Sequence, residues 1–109
     1  MGKKTSLGLE ENVEALLCYV LGWVSGLVFL LLEKDNKFVR FHAMQSLVTF
    51  LALTILIWIF RVIPILGWFI SVILGLISLV LWIVGMVKAY QHETYKFPIF
   101  GSFAEKQLK

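Results

Sequence analysis

The chain has 109 residues, of which 60% are hydrophobic, and a mean hydropathy of +0.88; a soluble domain uses roughly 45–50% apolar residues, so an ordinary water-soluble fold is excluded. Only 16% of residues are charged, and they fall before Ala15, between Glu33 and Arg40, and after Val87, with Arg61 the single exception. That clustering makes the net charge of +3 a matter of membrane topology rather than of nucleic-acid binding, and the lone Cys18 excludes an intramolecular disulfide or a thiolate metal cluster.

The chain opens with Met1-Gly2-Lys3-Lys4-Thr5-Ser6, which matches the pattern for myristoylation at Gly2, although a helical anchor makes a lipid chain superfluous. Glu10, Glu11 and Glu14 occupy the flank where a cleavable signal peptide would be basic, so none is expected. The same acidic residues suit the first turn of a helix, where they face the positive end of its dipole.

A first crossing is predicted over 13–32, because Ala15 to Leu32 carries no charge and about 18 residues is near the lower limit for a span. Within it Ala15, Cys18, Gly22 and Ser25 recur at spacings of three and four, and Gly22 to Gly26 forms a GxxxG. Small residues on one face let helix backbones approach in lipid, where dispersion and interhelical hydrogen bonds drive association.

The charged run from Glu33 to Lys37 ends that segment, and Asp35 or Asn36 can cap the next helix. A second crossing is predicted over 40–60. Helical spacing from Phe38 places His42, Gln45 or Ser46, and Thr49 on one face, and polar groups at membrane depth turn inward toward other helices or a wet cavity. Trp58 and Arg61 mark an interface, and Pro64 opens a third crossing over 64–88 after a very short turn, so the second and third helices form a tight antiparallel hairpin. Ser71, Gly75, Ser78 and Gly85 form a second small-residue stripe, and the Gly22–Gly26 face is expected to pack against the Gly75 face.

The polar tail, 89–109, continues the helix briefly and stops before Pro98, with an interfacial character from Tyr90 and Tyr95. With three crossings, Lys34, Lys37 and Arg40 share a side with Lys88, Lys96, Lys106 and Lys109, seven cations against Lys3, Lys4 and Arg61 opposite. The expected topology therefore has the amino terminus outside and the carboxyl terminus in the cytoplasm of a multi-pass cell-membrane protein. On that topology Glu33, Arg40, His42, Gln45, Thr49, His92 and Glu93 form a polar patch at the cytoplasmic mouth. The spacing of His42, His92 and Glu93 matches no familiar ligand set, so no metal is expected. The sequence holds no nucleophile–base pair, phosphate-cradling glycine loop or paired carboxylates within the membrane, and neither an enzyme nor a cofactor is expected.

Phe38-Val39-Arg40-Phe41-His42-Ala43-Met44-Gln45-Ser46 resembles the motif that opens a transmembrane helix in the small membrane subunit of the chloroplast inner-envelope protein-import translocon and its prokaryotic relatives. The tail, Lys88-Ala89 followed by Glu93-Thr94-Tyr95-Lys96-Phe97-Pro98, is similar to the ending of small prokaryotic membrane proteins grouped as a family of unknown function. The plastid subunit has four crossings against three read here, and His42 stands where Asn is the family's residue. The resemblance implies an all-α integral membrane protein acting as a non-catalytic subunit or assembly partner of a membrane complex. The alternative is a small self-associating channel or carrier with His42, Gln45 and Thr49 along a polar track. The partners expected are the lipid bilayer and either a membrane protein or a second copy, with no nucleic acid.

Overall fold

The computed structural model describes Thr5 and residues 7–108. Among these residues there are five helices: α1 (Glu11–Val20), α2 (Trp23–Leu32), α3 (Lys37–Phe60), α4 (Leu66–Tyr90) and α5 (Phe100–Gln107). Two of them, α3 and α4, are long and apolar enough to cross a membrane. They form the antiparallel hairpin expected from the short turn at Arg61–Ile65. The myristoylation pattern at Gly2 lies outside the described residues.

The predicted first crossing, 13–32, is not one helix. It breaks at Leu21–Gly22, where Gly22 takes φ +65° and ψ −136°, a conformation that costs a residue with a Cβ of order 1–3 kcal/mol. The Ser25 hydroxyl fastens the break, accepting from Leu21 N–H at 3.0 Å and donating to the Cys18 carbonyl at 2.9 Å. The contacts on α3 then show the direction of each half. Along α1 the Glu11 carboxylate accepts from Asn36 Nδ2, and Tyr19 reaches His42. Gly22 O accepts from Ser46 Oγ near the level of Phe50, whereas farther down α2 Leu30 O accepts from Arg40. Thus α1 rises beside α3 and α2 returns, each ten residues or about 15 Å long, half of a bilayer core. The pair is a helical hairpin with both ends at one end of the bundle.

Polar contacts close those ends. Glu14 and Glu33 are both fully buried, and their carboxyl groups face each other. Thr5 Oγ1 donates to the Glu14 carboxyl, and the backbone N–H groups of Asp35 and Asn36 donate to Glu33 Oε2. Asn12 Nδ2 donates to the carbonyl of Tyr90 at 3.0 Å, so the start of α1 and the end of α4 are neighbours. The expectation that the two chain ends lie on opposite sides of the membrane required an odd number of crossings; among the described residues the start of α1 and the end of α4 lie at the same end of the bundle.

Small residues set the packing, but not in the pairing expected. Gly26 meets α3: a Cβ there would lie 2.7 Å from the Ala43 carbonyl oxygen and 2.9 Å from Leu47 N. Gly85 meets the Tyr19 ring at a similar distance. Gly75 faces open space and Gly22 faces Phe50, so the proposed Gly22–Gly75 contact does not form. The Phe50 side chain stands against Gly22, and the space beside Gly75 is left as a cleft that Phe50 also lines. Ser71 lines a cavity at the α3–α4 turn, and Ser78 donates back to Leu74 O within its own helix.

Candidate functional site

Asn36 caps α3, its side-chain oxygen accepting from Val39 N–H at 2.9 Å, and this sets the helical register of the polar residues that follow. His42, Gln45, Ser46 and Thr49 recur at three and four residues along α3 and all are fully buried. This face of α3 is covered by the chain itself.

What fills it is the tail. After α4 the chain turns at His92, which has φ +63°, and residues 93–97 run back against α3. His42 Nε2 lies 2.8 Å from the Glu93 carbonyl, which can only accept, so Nε2 carries the proton and Nδ1 is an acceptor. Tyr19 O–H donates to that Nδ1 at 2.7 Å. The Tyr19 oxygen in turn accepts from Gln45 Nε2 at 2.8 Å. The second proton of Gln45 Nε2 goes to the Tyr95 carbonyl at 3.0 Å, and Gln45 Oε1 accepts from Phe97 N–H at 2.8 Å. Trp82 of α4 closes the set by donating to the Tyr19 carbonyl at 2.6 Å.

Two side chains, His42 and Gln45, thus hold the backbone of Glu93, Tyr95 and Phe97, with Tyr19 joining them, and every donor and acceptor of the His42 ring and the Gln45 amide is used. Phe97 anchors the same segment, 1% exposed, with its ring tilted against Tyr19 and edge-on to Phe50. α5 follows and packs against α3, with the Gly101 backbone so close to Gln45 Oε1 that a Cβ would stand 2.7 Å from it. The tail expected at the interface is an integral layer of the core. Inside a low-dielectric protein such a satisfied network rigidifies and specifies one arrangement.

The remaining residues of the expected patch separate. Arg40 Nη1 donates to the carbonyls of Leu30 and Glu33, tying down the end of α2 rather than meeting His42. Glu33 turns to Glu14. His92 is exposed and stacks on Phe38, and the Glu93 carboxylate pairs at 3.4 Å with Lys88 across an exposed gap, a contact worth little. Thr49 Oγ1 is buried and bonds no group among the described residues. No group of three or more His, Cys, Asp or Glu that could hold a metal occurs among the described residues.

Sequence reasoning missed Tyr19, the hub of the network, and Glu14. Tyr19 sits in an apolar run where an aromatic residue signals only lipid or core. Glu14 reads as a dipole-matching residue of a first turn. A signal for both existed in the helix break at Gly22, which, taken as a turn, would have brought residues 14 and 33 to one level.

Comparison with known proteins places residues 10–104 within the model of the magnetosome magnetite crystal formation protein family. A membrane protein of Methanocaldococcus jannaschii, of the group designated UPF0132, is 54% identical over 95% of this chain and 74% of its own length. A second from the same organism is 48% identical over 94% of this chain and 93% of its own. One from Archaeoglobus fulgidus is 42% identical over 92% and 97%. No solved structure matches. The resemblance to small prokaryotic membrane proteins holds, while nothing in these matches connects the chain to the chloroplast import machinery. With nearly its whole described length matched, the chain is a membrane protein that belongs to the magnetosome magnetite crystal formation protein family.

Proposed function

We propose that the protein is a non-catalytic, two-crossing membrane subunit that associates with other membrane helices through the outer face of α4, with both chain ends in the cytoplasm. The observation that carries this reading is the imbalance of α4, whose apolar stretch is only 6% buried. Along that face Gly75 opens onto free space, beside a cleft of about 280 Å³ lined by Phe50, Gly75, Ser78, Leu79 and Trp82. Small residues exposed at mid-membrane admit a second helix backbone. On α3, by contrast, His42 and Gln45 are engaged in holding the chain's own tail and Ser46 in holding Gly22, which disfavours a conducting path or a reactive centre there.

The charge pattern supports the sidedness. With two crossings, Lys3, Lys4, Lys34, Lys37, Arg40, Lys88, Lys96, Lys106 and Lys109 belong to the segments flanking one side, and Arg61 alone to the other. Nine against one is a stronger cytoplasmic bias than the seven against three of a three-crossing arrangement.

The test is photocrosslinking in native membranes from a probe at Gly75, a position that tolerates it, rather than at buried Gln45. A foreign protein trapped in stoichiometric yield supports the reading. Trapping of lipid alone refutes it, and trapping of a second copy alone moves the weight to a homo-oligomer. Sidedness is read separately by thiol labelling of single cysteines at Ser102 and Val62 in a Cys18→Ala background. Labelling of Ser102 from outside intact cells would overturn the topology.

A further inference from the structure

The end of the bundle opposite the Tyr19–His42–Gln45 network carries one cation and a cavity. Arg61 caps α3 and is exposed, with its guanidinium carbon 5.5 Å from the centroid of the Trp58 ring. Trp58 and Trp68 are 66% and 62% exposed, on either side of the turn. Amphipathic rings at both helix ends place the turn at the level of lipid head groups. All seven Asp and Glu residues of the sequence lie before α3 or after α4, so no carboxylate of this chain is available to Arg61 at its own end.

Beneath the guanidinium lies a cavity of about 470 Å³, walled by Ile57, Pro64, Trp68 and Val72 and reaching Ser71. Ser71 Oγ is buried and hydrogen-bonds nothing among the described residues, although a buried hydroxyl is normally satisfied. The volume falls within the range of about 300–1,000 Å³ typical of small-molecule sites. Its design is graded: a planar cation at the mouth, one hydroxyl donor deeper in, and apolar walls continuous with the lipid-facing sides of α3 and α4.

From this geometry we propose that the α3–α4 turn is a binding site for one phospholipid, with the phosphate at Arg61, the glycerol-linked oxygens at Ser71 and a chain along Ile57 and Val72. A phosphodiester presents two anionic oxygens that a guanidinium fork matches. The ester or ether oxygen a few bonds away is the acceptor that Ser71 lacks. The proposal goes beyond the association reading above. It needs the turn to lie at a membrane interface and does not depend on which side that is, or on any protein partner.

The test is native mass spectrometry of the delipidated full chain in detergent, titrated with phosphatidylglycerol, with diacylglycerol of matched chains, and with inorganic phosphate. One phosphatidylglycerol should bind at least tenfold tighter than diacylglycerol. Arg61→Gln should abolish that preference, Arg61→Lys should restore part of it, and Ser71→Ala should weaken binding several-fold for both lipids. Because Arg61 is exposed, its variants should keep the parent's circular dichroism and melting temperature, which separates loss of a site from loss of the fold. Equal affinity of Arg61→Gln for phosphatidylglycerol would overturn the proposal, as would equal binding of diacylglycerol. Displacement of the lipid by millimolar inorganic phosphate would reassign the site to free phosphate and overturn it likewise.

Discussion

Replacing Tyr19 with Phe removes a single oxygen, yet that oxygen joins His42 to Gln45, the two side chains that lock the tail onto α3. The ring keeps its place against Phe50 and Phe97, so the cost is confined to hydrogen bonding. His42 Nδ1 loses its donor and Gln45 Nε2 loses one of two acceptors, both in fully buried surroundings. Side-chain hydrogen bonds within membrane proteins average about 0.6 kcal/mol, which sets a floor of about 1 kcal/mol for the two. A buried group left unpaired costs about 1–3 kcal/mol, which makes a loss of about 2–4 kcal/mol the expected value when no water replaces the hydroxyl. Stability should be followed in mixed micelles by SDS-driven unfolding, with limited proteolysis at the Tyr95–Lys96 segment as a local probe. The variant should unfold at lower SDS and the tail should be cut sooner, with a coupling of about 1 kcal/mol or more between Tyr19→Phe and His42→Leu. A loss below about 0.5 kcal/mol with unchanged tail protection would refute the lock.

Other positions give contrasting expectations. Gly26→Leu should destabilise by about 1–3 kcal/mol or more because its Cβ runs into the α3 backbone at Ala43 and Leu47, whereas Gly75→Leu should change melting temperature little, since it faces open space; the reverse order would show that α2 and α4 are misplaced. Gly85→Leu should behave like Gly26→Leu, through the Tyr19 ring, and loss of the near-ultraviolet tyrosine signal would report it. Glu14→Gln should preserve the fold, because an amide oxygen still accepts from Thr5 and its N–H can donate to Glu33, while Glu14→Leu, which leaves the Thr5 hydroxyl without its acceptor, should cost about 1–3 kcal/mol in thermal unfolding. If the two variants melt together, the carboxyl pair contributes nothing.

Hydropathy and charge were enough to identify a membrane protein, because apolar runs long enough to span are a property of composition and length alone. The same holds for α3 and α4; residue type offered Asp35 or Asn36 as the cap, and helical spacing offered one face of His42, Gln45 or Ser46, and Thr49, while the structure selects Asn36 and buries all four side chains. The sequence could not show that residues 13–32 double back, since an 18-residue uncharged run satisfies a crossing and a bent half-depth hairpin equally. Only the packing of Gly26 on α3 and the meeting of Glu14 with Glu33 separates the two. Nor could it show where the tail goes. Glu93, Tyr95 and Phe97 bind through backbone atoms, which every residue possesses, so no side-chain pattern announces that His42 and Gln45 are their partners. Long-range contacts between an apolar tyrosine, a helix face and an extended strand of main chain exist only once the tertiary fold has brought them to one level.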